Sequence, residues 1–293
     1  MLLWSIETDV FQMPQLHKHF NVGNHIKKTP KTMDNQLDNI KNKLELLRQL
    51  DINLEVFGSE KHKYILNPIV PTDIVKQFEA KHKITLPSEY VSFFTTLGNG
   101  GAGPFYGLEP FENAIFDDLD FKREDGLLNP SKPFLHTDAW NMEFEPTVSE
   151  DENEEEYDRQ YEKFTDLYFD SEHTNGVLAI CNYGCGITLN LVVNGQEYGK
   201  IWTDDRGNDG GIYPTIQLGE KAKISFLDWY ELWLDNSISE IKTSLNSSTK
   251  QNIKTNKINT PAKIKCTRLR NAIFSSSLLL SSRCIRNISI QKL

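Results

Sequence analysis

Four groupings in this chain have side chains that could do chemistry. Asp204, Asp205 and Asp209 share the run Asp204-Asp205-Arg206-Gly207-Asn208-Asp209-Gly210-Gly211. Carboxylates so spaced could hold a divalent cation or a hydrolytic water, with Asp204 and Asp209 as the working pair. A calcium loop, however, needs a ligand where Arg206 stands and a closing Glu, and has neither. Cys181 and Cys185 have three residues between them, but zinc needs a second Cys or His pair nearby, which His173 alone does not supply. His62, His82, His136 and His173 occur singly, and His17 and His19 lie outside the patterned region. No nucleophile elbow, Walker loop or zincin helix occurs. These residues point to no catalytic group, no metal and no cofactor, with an Asp204/Asp209 hydrolase kept as a third class.

The fourth grouping is Gly98-Asn99-Gly100-Gly101-Ala102-Gly103-Pro104-Phe105-Tyr106-Gly107. Gly98, Gly100 and Gly103 match the G-x-G-x-x-G spacing of a dinucleotide loop, which must follow a strand and open a helix. Here a helical pattern precedes and Pro104 with an aromatic run follows. A structural turn beneath a sheet is the reading preferred over nucleotide binding.

The elements that would position these residues can be drawn from periodicity. A helix is expected from Asp34, capped by that side chain, with Leu37, Ile40, Leu44 and Leu47 on one face. A second runs from Pro71 to Lys83 with Ile74, Val75, Phe78 and Ala80 inward. A third, started by Pro87 and stopped at Gly98, buries Tyr90, Val91, Phe93, Phe94 and Leu97. Residues 176–181 read as a short strand. Ile187, Leu189, Leu191 and Val193 alternate before Asn194-Gly195, the preferred type I′ hairpin pair, with a returning strand from Gln196 to Trp202. A helix from Ser225 to Asp235 carries Phe226, Trp229, Tyr230 and Trp233 on one side, with Ser225 and Asp228 in a capping-box-like arrangement.

Charge divides the chain. The total of -9 hides ten bases and no acid in residues 247–293, which leaves -19 on residues 1–246. Residues 143–172 alone hold thirteen acids and two bases. That segment reads either as a docking surface for a basic protein or as a solvated, partly helical or flexible insertion. A body this acidic disfavours nucleic acid and suits a basic partner. Hydrophobic residues at 38% support a packed core, and the absence of a long apolar run argues against membrane insertion. Four cysteines make no disulfide framework, and residues 1–11 lack the flanks of a signal peptide, so a cytoplasmic protein is expected. Residues 1–33 are expected to be a poorly ordered extension, with Met33 a candidate start. Residues 34–246 form the domain, and 247–293 a disordered tail.

The residues Leu86-Pro87-Ser88-Glu89-Tyr90, Phe93, the glycine run through Leu108, Gly184-Cys185-Gly186, Leu191-Val192-Val193-Asn194-Gly195, Gly199-Lys200-Ile201-Trp202, Asp205-Arg206, Gly211-Ile212 and Phe226-Leu227-Asp228-Trp229-Tyr230-Glu231-Leu232-Trp233-Leu234 together resemble the SUKH superfamily, the Smi/Knr cell-wall assembly regulator domain. The resemblance runs from about Met33 to Asn246. It implies an α+β fold, a largely antiparallel sheet flanked by helices. It further implies a non-enzymatic immunity protein that binds and neutralises a cognate toxin domain, a nuclease in many cases. The alternative is a protein-interaction scaffold in cell-wall assembly or signalling. The residues singled out for partner binding are Gly100, Gly101, Tyr106, Trp202, Asp204, Asp205, Arg206 and Asp209, because aromatics and an Arg beside carboxylates suit a protein hot spot. No nucleic acid, membrane, metal or cofactor is expected as a partner.

Overall fold

The computed structural model describes residues 32–220 and 223–255. Two compact units divide the chain, Met1–Lys242 and Thr243–Leu293. The expected N-terminal extension and most of the expected tail lie outside the described residues.

Helix α1, Met33–Leu50, is capped two residues earlier than its sequence suggests. Thr32 is the cap, its Oγ1 accepting the Asn35 N–H at 3.3 Å, while Asp34 sits in the first turn where its charge complements the helix dipole. Leu37, Ile40, Leu44 and Leu47 are buried as expected. Helix α2 is the single turn Ser59–His62, followed by α3, Thr72–His82, and α4, Ser88–Thr96. In α3 the inward face is narrower than expected: Val75 and Phe78 are buried, but Ile74 and Ala80 face solvent. Tyr90, Phe93 and Phe94 of α4 are buried, with Val91 and Leu97 packed at the edge of the same core. Helix α5 is Glu154–Tyr168, and α6 spans Phe226–Thr255. The closing helix is therefore longer than the Ser225 to Asp235 stretch, and residues 247–255, assigned to a disordered tail, are helical.

Four strands form one antiparallel sheet in the order β1-β2-β3-β4: Val177–Gly184, Ile187–Val192, Ile201–Asp204 and Ile212–Pro214. The fold is α+β. Because side chains alternate along each strand, the sheet has two faces. One face, with Leu178, Ile180, Leu189, Leu191 and Ile201, packs on α1, α3, α4 and the Phe226, Trp229, Tyr230 and Trp233 stripe of α6. The other, with Val177, Ala179, Val192, Trp202 and Ile212, is covered by Ile115, Leu119, Leu128 and Phe134 from the long segment between α4 and α5.

The tight hairpin lies elsewhere than expected. Gly184 pairs with Ile187, so Cys185 and Gly186 form a two-residue turn, and both have positive φ (54° and 75°), as type I′ geometry requires. Asn194-Gly195 instead sits in the longer connection 193–200. There the missing Cβ of Gly195 lets the Phe134 backbone approach, and the Phe134 N–H donates to Asn194 O at 2.9 Å. The asparagine–glycine pair serves a third chain segment rather than a turn.

The glycine run is structural. Antiparallel bridges join Leu66 to Gly101, Gly101 to Leu108 and Leu108 to Cys181, extending the ladder beyond β1. Gly101 has φ +91°, and a Cβ there would lie 2.5 Å from the Ile65 carbonyl oxygen. Only glycine lets three backbone segments meet at that spacing.

Candidate binding cleft

The second face of the sheet changes character along its length. Its apolar part is core, but the registers Asn182↔Thr188, Thr188↔Asp204 and Asn190↔Trp202 put Asn182, Thr188, Asn190 and Asp204 on that same face at the other end. Against them lies a cleft of about 530 Å³, lined also by residues of the segment between Asp117 and Asn129 and by Phe169, Ser171, Thr174 and Asn175. That volume is in the range of about 300–1,000 Å³ typical of ligand sites.

Arg206 also lines the cleft. It is buried, its Nε donates to Asp204 Oδ1 at 2.9 Å and its Nη2 to Asp204 Oδ2 at 2.7 Å. Its Nη1 donates to the carbonyls of Tyr168 and Asp170 at 3.1 and 3.2 Å, just past the end of α5. The guanidinium therefore caps a helix C-terminus and is fully engaged within the protein. Asp205, in the following turn, accepts from Asn208 Nδ2 at 2.9 Å and Tyr213 OH at 3.2 Å, and burial holds its carboxyl above the ordinary carboxylate range. Asp209 is exposed in left-handed backbone, its carbonyl accepting from Asn141 Nδ2 at 2.9 Å.

The acidic segment is folded on its inner side. Asn153 caps α5 by accepting the Glu156 N–H, and Tyr157, Tyr161, Phe164 and Tyr168 follow at spacings of four, three and four. Phe144 packs against the first three of these rings at 5.2–5.4 Å. Trp140 stacks on Tyr168 at 5.5 Å and on His173 at 3.9 Å. The Tyr168 hydroxyl donates to Asn141 Oδ1 and accepts the Gly211 N–H. His136 Nε2 lies 3.3 Å from His173 Nδ1, and burial, aided by the neighbouring His173 and Arg206, pulls the His136 pKa down to about 4. The aromatic stripe of α5 has a helical period visible in the sequence, within the stretch densest in acids.

No family model, curated protein or solved structure matches the chain.

The residues singled out from sequence part company here. Asp204 and Arg206 line the cleft, and Asp205 and Asp209 belong to the adjoining turn. Trp202 has no exposed surface: it is packed edge-on to Phe134 at 5.0 Å inside the second core, so it presents nothing to a partner. Gly100 and Gly101 are likewise committed, since Gly100 O accepts from Asn67 N and Gly101 exchanges both backbone bonds with Leu108. Tyr106 is half-buried beside Phe57 and Lys61 and does not line the cleft. Asp117, Asp118, Asp120, Asn175, Asn182 and Asn190, which do line it, were missed because they come from separate segments joined only by the fold. Among the described residues no group of three or more His, Cys, Asp or Glu is placed to hold a metal ion, and no helix is long and apolar enough to cross a membrane.

Proposed function

We propose that this chain is a non-catalytic binding protein of SUKH type that neutralises a basic protein partner, a toxin domain of nuclease class. The observation that carries this reading is a continuous acidic region. Asp117, Asp118 and Asp120 line the cleft, and the segment from Phe169 to Asn175 that also lines it is the direct continuation of the acidic helix α5. With -19 on residues 1–246, such a surface draws a phosphate-gripping, basic face quickly and occludes it. Exposed Phe121, Leu127 and Phe169 beside the acids give the apolar contact that converts encounter into residence.

The test is co-expression with the catalytic domain encoded beside this gene. Full-length protein should restore growth and co-purify with that domain, with an association rate that falls steeply as salt rises. Neither rescue nor complex would overturn the reading and leave the scaffold alternative.

A further inference from the structure

Asn190 and Asn175 are 5% and 7% exposed, both line the cleft, and neither side-chain amide has a hydrogen-bond partner among the described residues. Asn190 lies on the interior strand β2, paired with Trp202 on one side and with Ala179, beside a register irregularity of β1, on the other. The amide atoms of both keep access to the cleft, so a ligand seated there meets them unpaired.

The carboxylates above these amides define what the amides would share. Asp118 Oδ1 accepts the N–H groups of Asp120 and Phe121, and Asp120 Oδ1 accepts from Asn182 Nδ2 at 2.7 Å. The second oxygen of each has no protein donor among the described residues. The two arginines of the lining do not compensate, since Arg206 is engaged by Asp204 and Arg123 leans toward Asp125 at 3.9 Å. The rim is apolar: Phe121 is 76% exposed, Phe169 50% and Leu127 51%. Acceptors at the floor and aromatic faces at the mouth match a side chain with an apolar stem and a planar, multi-donor cationic head.

We infer that the cleft receives an arginine side chain from the partner, its guanidinium donating to Asp118, Asp120 and the amide oxygens of Asn175 and Asn190 and its stem lying against Phe121. The partner's identity rests on the proposed function; the chemistry of the ligand rests on the cleft. Arginine is specified over lysine because an ammonium presents three donors from a point, whereas these acceptors come from separate segments and lie in a cleft that also includes the exposed Phe121 ring, on which a guanidinium stacks.

The experiment is a titration of the full chain with acetyl-Gly-Arg-Gly-amide, followed by the side-chain amide resonances of Asn175 and Asn190. Both resonances should move and saturate, with a lysine peptide weaker and a glutamate peptide inert. Asp118→Asn with Asp120→Asn keeps the oxygens that cap the loop and should weaken binding about tenfold or more. Asn190→Leu should abolish the response of Asn175; if it fails to fold, the exposed-loop pair still decides. Absence of a shift, equal response to lysine, or shifts unchanged in the loop variant would overturn the inference. With the toxin domain, wild-type protection that survives intact in the loop variant would remove the arginine anchor while leaving the neutralising reading standing. Wild-type failure to protect would remove that reading, and the peptide titration would still judge the cleft.

Discussion

Arg206 and Asp204 form a two-pronged ion pair, at 2.9 and 2.7 Å, in which the arginine is also bonded to two carbonyls at the end of α5. A charge pattern that reads as a docking hot spot is thus a latch between β3 and the acidic helix. The two partners lie two residues apart in sequence, at the end of β3 and the start of the turn through 206–208.

Removing that latch should loosen α5 before anything else. Arg206→Ala leaves Asp204 partly buried and unpaired and frees the two carbonyls, so a loss of about 3–5 kcal/mol is expected. Arg206→Lys should recover only part, lacking the second prong. Urea unfolding measures the total, and hydrogen exchange across residues 154–175 should rise in both variants ahead of the sheet. Unchanged exchange there would mean that the aromatic stripe alone fixes α5.

Trp202 distinguishes core from surface directly. Trp202→Ala should cost about 3–5 kcal/mol, the range for truncating a large buried aromatic. Trp202→Phe should cost less, because the indole Nε1 has no hydrogen-bond partner to lose. Neither variant, at temperatures where it is fully folded, should alter the rate of association with a basic partner.

Two glycines with similar backbone angles should respond very differently. At Gly101, φ +91°, an added Cβ meets the Ile65 carbonyl oxygen at 2.5 Å; at Gly186, φ +75°, it meets nothing within 4 Å. Gly186→Ala should therefore cost only the left-handed strain of about 1–2 kcal/mol. Gly101→Ala adds a backbone collision and should cost about 2–5 kcal/mol or prevent folding. Comparable midpoints for the two would refute the three-segment junction.

The contrast between those positions also shows what a sequence discloses. Helical faces such as Leu37, Ile40, Leu44 and Leu47 are legible because a single period reports burial in a single element. The α+β class, implied by the resemblance to the SUKH superfamily, agrees with the four-stranded antiparallel sheet and its helices. Asn194-Gly195 misled because local turn preference is weak beside tertiary approach: Phe134, some sixty residues earlier, occupies the space that glycine leaves. The cleft was illegible for the same reason. Asp118 and Asn190 are brought together by the coverage of a sheet face, and no spacing along the chain records it.

Acid should weaken the fold through buried His62 and half-buried His136. Unfolded histidines take a proton near pH 6.5, while His136 and His62 in the folded chain take theirs only at about 4, chiefly because burial disfavours the charged ring. Between these values the unfolded chain binds more protons, so the stability these groups contribute is complete above about pH 6.5 and is lost progressively as pH falls toward 4. The groups facing His136 reinforce this: His173 stacks on it and Arg206 repels its charged form, opposed by Asp204. Urea midpoints should accordingly drop between pH 7 and pH 4.5. His136→Gln should flatten part of that slope, and His62, with its Nδ1 accepting the Tyr64 N–H at 3.0 Å, should account for much of the remainder. A slope unaffected by His136→Gln would place the acid sensitivity elsewhere.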